Sequence, residues 1–409
     1  MAKVSDKNSP YYIDHSERLH KVQTLMREKN IDVYLGSRLR TMSWITDAFC
    51  PWRSFLVIPA EGLPTAFIFV IDAARVADET WLPEDNVRGF APMGGQDQIT
   101  AISDFINGEI LKGKKGCIGV EAGMSNYLPE GNLTHFEYVN FEKQLEPGVL
   151  VNALDIIDEA SLIKEPGLIN RFRQASKIVD IGHEALLNDM KNGGWKGMTE
   201  TVIAGLAGYH MRKAGSLWEW SFTGGNEIAS GYRTGLAGCA CTPATAKEVQ
   251  YGESLMVDIH AMFALATGDH SHNYFMGSAT PRQLWHAKNF EDIVTLTLEK
   301  YKSGVTPSSL AEELMGFAEE RGFSEYMVPG FEHGIGMVGD EWRVGLNDGP
   351  FPYWTNPDHV YQENEVIICA MQYACPDEDI GFRYENPILI LKDGCEYMSK
   401  FPLKIEVIE

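Results

Sequence analysis

Two aspartates, Asp258 and Asp269, stand inside neighbouring apolar runs of the sequence, LMVDIHAMF and GDHSHNYF. The connector ALATG contains Gly268, so the runs are predicted to pair as a β-hairpin and to bring the two carboxylates together. Two carboxylates on one buried face are costly unless a positive charge lies between them, and a divalent cation would supply that charge. The same residues could also do no more than cap turns, and the pair alone does not separate the two interpretations.

Two further candidates follow later in the chain. His333 lies in the segment FEHGIGMVGDEW, where glycines follow it at positions 334 and 336. Glu385 lies in the apolar run GFRYENPILI, close to Arg383. Glycines next to a histidine allow close approach of the backbone to a ligand, but they are also typical of a tight turn. The carboxylate of Glu385 could bind a metal ion or form an ion pair with Arg383.

The order of these four residues resembles the pita-bread superfamily of creatinases, aminopeptidases P, prolidases and methionine aminopeptidases. The segment IKEPGLINRFRQASKIVDIG also resembles the helix that opens the catalytic domain of that superfamily. The resemblance implies that Asp258, Asp269, His333 and Glu385 are metal ligands. It further implies one or two divalent ions (Fe, Mn, Zn or Co) that activate water for attack on a C–N bond.

The sequence departs from the pattern of that superfamily at its fifth ligand, a glutamate. Ala370 takes this place in the run EVIICAMQ, and a shift of one residue would put Met371 there. Neither residue can bind a hard cation, so the resemblance implies weaker metal occupancy. His260 follows Asp258 by two residues and should share its strand face, either as a catalytic or metal-binding helper or as a buried histidine bonded to a carbonyl group. His272, three residues after Asp269, should face away.

Local features suggest a branch of the superfamily. The segments SGYRT, WRSFLV and the run from HGIG into Asp340 resemble the branch that cleaves dimethylsulfoniopropionate by elimination, and there Asp340 would be the general base with Glu341 as its competitor. Sequence context also selects five candidate substrate-binding residues: Arg53 as a carboxylate clamp, Trp52, Tyr232, Arg233 and Trp342. The sequence favours metal-assisted hydrolysis of a C–N bond in a small carboxylated substrate. Elimination, a metal-free creatinase-like hydrolysis and a non-catalytic binding module are the alternatives.

Two domains must position these residues. Residues 1–155 alternate helical and strand patterns and predict an α/β domain. Residues 160–409 begin with a long helix after Pro166 and continue as β-rich runs interrupted by helices at 199–215, 286–302 and 308–322. We therefore expect an α+β pita-bread domain with a curved, mainly antiparallel sheet.

Composition limits the partners. The net charge of −22 argues against nucleic acid as a ligand, because phosphate backbones require basic surface. No apolar run has membrane-spanning length, and the N-terminal residues do not resemble a secretory signal. The seven scattered cysteines fit a reducing cytoplasm. The resemblance implies a homodimer that binds a small-molecule substrate.

Overall fold

Two β-sheets, each in its own unit of the chain, organise the computed structural model. It describes residues 6–91, 97–123, 131–145, 148–219, 225–236, 242–328, 332–341 and 358–409. The described residues up to Leu162 form the first unit, and those from Ile163 onward form the second. Among the described residues, no helix combines the length and the apolar character needed to span a bilayer.

The first unit is an α/β domain, as the sequence predicts. Its strands are β1 Val33–Gly36, β2 Phe55–Pro59, β3 Thr65–Phe69, β4 Val87–Phe90, β5 Cys117–Val120 and β6 Val149–Asn152. Its helices are α1 His15–Glu28, α2 Leu39–Thr46, α3 Val70–Glu79, α4 Gln98–Phe105, α5 His135–Gln144 and α6 Leu154–Ala160. The strands lie in the order β4-β3-β2-β1-β5-β6, with β1–β2 and β2–β3 antiparallel and the other pairs parallel.

Apolar residues on alternate strand positions form the core of this unit. Val33 and Leu35 of β1 pack in one cluster with Ile102 of α4 and Phe141 of α5. Asp14 begins α1 by accepting hydrogen bonds from the backbone N–H groups that follow it. Apolar side chains that recur with the period of a strand or of a helix therefore form the buried faces that hold this unit together.

The second unit carries the larger sheet. Its strands are β7 Glu227–Ser230, β8 Ser254–Phe263, β9 Ala266–Met276, β10 Glu332–Gly336, β11 Gly339–Glu341, β12 Val366–Cys375, β13 Ile380–Ile390, β14 Cys395–Tyr397 and β15 Glu406–Ile408. Its helices are α7 Pro166–Met190, α8 Glu200–Lys213, α9 Pro281–Lys300 and α10 Pro307–Glu320. The main strand order is β11-β10-β12-β13-β9-β8-β7, antiparallel throughout, while β14 joins β13 and β15 joins β9 in parallel.

The predicted hairpin of β8 and β9 forms, but its turn differs from the one expected. The turn consists of Ala264 and Leu265, both with positive φ (47° and 64°), between the paired residues Phe263 and Ala266. Gly268 lies inside β9 instead, where a Cβ atom would come within 2.5 Å of the backbone of Ala175 in α7. The glycine is thus required by close helix–sheet packing rather than by the turn.

The two faces of the larger sheet differ in chemistry. One face packs on the helices: Val257 and Ile259 of β8 join a cluster with α7 and α8, and residues of β12 and β13 join a cluster with α9 and α10. Alternation along the strands then directs Asp258 and His260 to the opposite face. The helices therefore bury one side of the sheet and leave the acidic residues on the other.

Three histidines are buried on the helix-facing side. His272 of β9 faces away from Asp269, as expected, and so does His270; both are buried, and His183 of α7 lies against them. The Nε2 atom of His183 is 3.1 Å from the carbonyl oxygen of His270. Burial lowers the pKa of His183 to about 4 and the pKa values of the other two well below their ordinary value. This cluster is therefore neutral at pH 7.

We expect the fold to lose stability in mild acid because of this cluster. The unfolded chain binds a proton at His183 below pH 6.5, whereas the folded chain does so only near pH 4, so unfolding becomes easier as the pH falls through this window. The shift corresponds to about 3 kcal/mol of unfolding free energy from His183 alone.

Urea unfolding at pH 7 and at pH 4 measures this effect. Between pH 7 and pH 4, the unfolding free energy of the His183→Gln variant should fall by about 3 kcal/mol less than that of the parent. His20→Gln, at an exposed position on α1, serves as the control. An equal fall of the unfolding free energy in the parent and in His183→Gln would contradict the lowered pKa of His183 in the folded protein.

Candidate active site

Strand register brings the candidate residues onto one face of the larger sheet. Asp258 lies opposite Ser271, and His260 lies opposite Asp269. Ser271 in turn lies opposite Glu385 of β13. Directly paired residues in a sheet point to the same side, so these residues share one face. The side chain of Asn273 strengthens this register because it forms hydrogen bonds with both the N–H and the carbonyl group of Arg383.

A first cluster combines Asp258, His260, Asp269 and Glu385, whose potential ligand atoms all lie within 4.8 Å of one another. The Nε2 atom of His260 is 3.2 Å from Asp269 Oδ1 and 3.7 Å from Asp258 Oδ1. All four side chains are buried. The Ser271 hydroxyl donates to Glu385 Oε2 at 2.9 Å and holds that carboxylate in place.

A second cluster combines Asp269, His333 and Asp340, also within 4.8 Å of one another. His333 reaches it from β10, where its Nε2 atom is 3.4 Å from Glu385 Oε1 and its Nδ1 atom is 3.6 Å from Asp340 Oδ1. Asp340 lies on β11 opposite Ile335, which shares a strand face with His333. Asp269 therefore belongs to both clusters and links them.

Arg383 supplies a permanent positive charge beside the first cluster. Its Nη2 atom donates to Glu385 Oε1 at 2.6 Å, and its Nη1 atom donates to Glu227 Oε2 at 3.2 Å and lies 3.6 Å from Asp258 Oδ2. The sequence analysis did not select Glu227. The signal for Glu227 in the sequence is a glutamate at the start of the short strand EIAS. Glu227 lies on β7, opposite Asp258 of β8, and adds a further carboxylate to this face.

Burial and mutual charge shift the pKa values of this cluster apart. Burial, with the charge of Glu385, raises the pKa of Asp258 well above its ordinary value. Although burial alone would lower it, Asp258 and Asp269 raise the pKa of His260 to about 10. Although burial opposes ionisation, Arg383 and His333 hold the pKa of Glu385 well below its usual range.

The second cluster shows the same competition. Burial raises the pKa of Asp340 to about 6 in spite of the opposing effect of His333. Burial opposes protonation of His333, but Asp340 and Glu385 raise its pKa to about 10. The pKa of Asp340 therefore lies near the pH range of an enzyme working close to neutrality.

These residues fit a divalent metal ion. Neither carboxylate oxygen of Asp258 has a hydrogen-bond donor within the part of the chain that the structure describes, although the side chain is completely buried. A buried carboxylate without donors is costly, and a cation is a partner that offsets this cost. Carboxylate oxygens combined with imidazole nitrogen suit Zn, Fe, Mn or Co.

The register decides which residue replaces the fifth ligand. Ala370 lies directly opposite Glu385, on the same face of the sheet, whereas Met371 lies opposite Tyr384 and belongs to the core shared with α9 and α10. The alternative of a one-residue shift is therefore wrong, because a shift would move every side chain of β12 to the other face. The methyl group of Ala370 leaves the position beside Glu385 without a ligand atom of its own.

Arg53, which the sequence analysis selects as a carboxylate clamp, has partners within the first unit, so its role as a clamp stays a prediction. Its Nε and Nη2 atoms donate to the two carboxylate oxygens of Glu137 at 2.7 and 2.6 Å. The remaining hydrogens donate to the backbone carbonyls of Ser37, Gly131 and Asn132. All five N–H donors of the guanidinium are thus used inside the first unit.

Glu341 and Arg233 also have charged partners within the second unit. Glu341 forms a buried ion pair with Lys164, with 2.5 Å between the oxygen and Nζ, and this pair favours Asp340 over Glu341 as the base. The Nε atom of Arg233 lies 3.1 Å from the buried Glu200, and its Nη2 atom donates to the carbonyl oxygen of Pro243. The roles that the sequence analysis gives to Glu341 and Arg233 stay predictions.

The other candidate substrate-binding residues stay predictions. Trp52 is half-exposed and packs its ring against Phe69. Tyr232 is exposed on a short turn of 3₁₀-helix after β7. Trp342 lies outside the described residues.

A small α/β domain followed by a curved antiparallel sheet, with helices on one face and a cluster of carboxylates and histidines on the other, defines the pita-bread class of proteins. Residues 170–392 match the family model described as metallopeptidase family M24, which is more than half of the chain. The chain belongs to metallopeptidase family M24. It is therefore a hydrolase of the peptidase/creatinase superfamily.

Individual relatives resemble the whole chain. An Xaa-Pro dipeptidase of Pyrococcus horikoshii is 23% identical over 395 residues, covering 94% of this chain and 97% of the relative. An ectoine hydrolase of Halomonas elongata is 25% identical over 407 residues, covering 96% of this chain and 97% of the relative. The crystal structure of the prolidase from Pyrococcus horikoshii OT3 superposes with a TM-score of 0.77 at 21% identity, covering 95% and 99% of the two chains. The structural likeness supports the fold, and the family match supports the class of enzyme.

Proposed function

We propose that this chain hydrolyses a C–N bond in a small carboxylated substrate with the help of one or two divalent metal ions. The observation that carries the proposal is the pair of acid–imidazole clusters that share Asp269 on one face of the sheet. The relatives named Xaa-Pro dipeptidase and ectoine hydrolase support the substrate class, since both names denote cleavage of C–N bonds in small molecules that bear a carboxylate.

The proposed ligands are Asp258, Asp269, His333 and Glu385, with His260 as an additional nitrogen donor. A metal ion bound there would supply Lewis acidity for the attack of water on the carbon atom of the C–N bond that is cleaved. Arg383 keeps Glu385 ionised, and Ser271 orients it. Because Ala370 replaces a carboxylate, we expect one ion to be held more weakly than the other.

Asp340 is the proposed general base. Its oxygen lies near His333 and Asp269 without belonging to the four proposed ligands, and its raised pKa of about 6 allows it to accept a proton from water at neutral pH. As the pH falls through about 6, Asp340 becomes protonated and the rate should fall with it. As the leaving nitrogen departs, the protonated Asp340 can return the proton to it.

Asp340→Asn is expected to lower kcat by about 10²-fold, because an amide cannot accept the proton. Metal content, measured by elemental analysis, and the unfolding free energy should stay close to those of the parent. Glu341→Gln is the comparison variant. It removes one charge of a buried ion pair and should lower stability while kcat stays within a few-fold. Parental kcat in Asp340→Asn would remove Asp340 from the mechanism.

The substrate class is tested by supplying the purified, metal-loaded enzyme with Xaa-Pro dipeptides, ectoine and dimethylsulfoniopropionate. Release of a free amine or amino acid, lost after chelation and restored by a divalent ion, is the expected result. Release of dimethyl sulfide instead would support the elimination alternative. Hydrolysis that survives chelation would support a metal-free mechanism, and no turnover of any compound would favour a binding module.

The expectations of a homodimer and of a cytoplasmic location stay predictions that rest on the resemblance and on the scattered cysteines. Gel filtration at micromolar concentration tests the first.

A further inference from the structure

A third group of side chains that could hold a metal ion lies on the helix-facing side of the larger sheet. His286 of α9, Cys375 at the end of β12 and Glu378 in the turn that follows have potential ligand atoms within 4.8 Å of one another. Cys375 is six residues from Cys369, and Cys369 is in the core shared with α9 and α10. Cys375 therefore faces the helices, whereas Ala370 and Glu385 face the proposed active site.

His286 is positioned as a ligand. Its side chain is completely buried, and one ring nitrogen, Nδ1, is 2.5 Å from the hydroxyl oxygen of Tyr373. The rings of Trp285, Tyr326 and Tyr373 surround the imidazole edge to face and fix its plane. A histidine whose second nitrogen is held by a hydrogen bond is the usual arrangement at a metal centre, because the bond fixes the ring and its tautomer.

The other nitrogen of His286 points into the group. Nε2 lies 3.4 Å from Glu378 Oε2 but has no well-formed hydrogen bond to any residue in the described ranges. A buried ring nitrogen left in this state is costly, and a ligand between it and the neighbouring acceptors would remove the cost. The long contact between this buried nitrogen and Glu378 is consistent with a group that can take up a ligand.

Cys375 and Glu378 are brought together by the tight connection between β12 and β13. The chain forms a single 3₁₀ turn at Pro376–Glu378 and leaves it through Asp379 in the left-handed conformation. Residues three apart on such a turn lie on the same side, so the thiol and the carboxylate converge. Arg282, one helical turn before His286, donates to both oxygens of Glu378 and holds the carboxylate against the helix.

We propose that His286, Cys375 and Glu378 form a second metal site that binds one Zn²⁺ ion. Nitrogen, sulfur and oxygen donors from three side chains, with water as a fourth ligand, match the preferences of zinc. On binding, the thiol of Cys375 releases its proton to solvent and the sulfur bonds to the ion as a thiolate, with no change in oxidation state. Glu378 is partly exposed, which gives the ion a path from solvent.

The consequence would be structural. An ion there ties the tip of the β12–β13 connection to α9, and β12 and β13 are the strands that carry Ala370 and Glu385. The site is independent of the proposed active site, since it shares no residue with it.

Cobalt(II) added to the whole protein as a probe tests the site, because a cobalt–thiolate bond has a charge-transfer absorption in the near ultraviolet. The proposed active site has no cysteine among its candidate ligands, so its occupation by cobalt does not produce this band. We expect a band that saturates at one Co²⁺ per chain, that Zn²⁺ displaces, and that is lost in Cys375→Ser and in His286→Gln. Cys117→Ser, in the first unit, should keep it.

Two variants separate the site from other causes of signal. Asp269→Asn should keep the cobalt–thiolate band even though it alters the proposed active site. Glu378→Gln changes a partly exposed residue, so it is expected to fold and to bind Co²⁺ at least about tenfold more weakly. Absence of the band in the parent at saturating Co²⁺, or its persistence in Cys375→Ser, would overturn the proposal.

Discussion

Asp269→Asn is expected to lower kcat/KM by about 10³-fold or more and to remove most of the bound metal. Asp269 belongs to both clusters of the proposed active site, so one substitution alters every proposed metal position. Loss of a single outer partner at a metal centre already costs about 10- to 100-fold, and a shared ligand should cost more. The amide keeps the shape of the side chain but loses the charge and one acceptor oxygen.

Elemental analysis after dialysis and steady-state kinetics with the cleaved substrate measure the two effects together. Asp393→Asn, an exposed carboxylate after β13, is the control and should leave both quantities unchanged. An Asp269→Asn protein that retains parental metal content and turns over within tenfold of the parent would show that Asp269 is not a ligand.

Arg383→Met is expected to lower the unfolding free energy of the metal-free protein by about 3–5 kcal/mol, the usual loss when one partner of a buried ion pair is removed. The guanidinium hydrogen-bonds to Glu227 and Glu385 and lies close to Asp258, and methionine replaces its volume without its charge. Three buried carboxylates would then repel one another.

Two conditions should restore part of the lost stability. A divalent ion neutralises the same carboxylates, so its addition should stabilise Arg383→Met more than the parent. Lowering the pH protonates the carboxylates and should also reduce the difference in unfolding free energy between Arg383→Met and the parent.

Arg173→Met is the matched control, because Arg173 forms a partly exposed pair with Glu396 and its loss should cost less than about 1 kcal/mol. Urea unfolding in the presence of a chelator measures both variants. A loss below 1 kcal/mol in Arg383→Met would mean that other groups, such as His260, balance the charge of the cluster.

The order of Asp258, Asp269, His333 and Glu385 in the sequence, through its resemblance to the pita-bread superfamily, was sufficient to predict the class of fold and these four residues, which the structure brings together on one sheet face. Local pattern adds to this resemblance: alternation along a strand decides the face of each side chain, and the helix after Pro166 begins where the sequence predicts. These properties depend on neighbours in the chain, which a single sequence displays.

Tertiary structure alone shows which of the other candidates have charged partners within the protein. Arg53, Arg233 and Glu341 have the right chemistry for a site, but Glu137, Glu200 and Lys164 engage them. These partners are distant in sequence, so no local pattern announces them. Asp340, by contrast, is brought near His333 and Asp269 because β11 pairs with β10.

The register of β12 also separates what the sequence predicts from what the tertiary structure decides. The sequence left Ala370 and Met371 as alternatives for the missing ligand, since a run of apolar residues buried on both faces has no alternation to separate them. Pairing with β13 selects Ala370, because only one register satisfies the ladder of backbone hydrogen bonds while Met371 fills the core beneath α9. Gly268 is a similar case: its position in the sequence suggested a turn, but the backbone of α7 passing beside β9 is the physical reason for it. Periodicity within a strand is local and readable in the sequence, whereas strand pairing, close backbone approach and the pairing of charges depend on contacts between residues far apart in the chain.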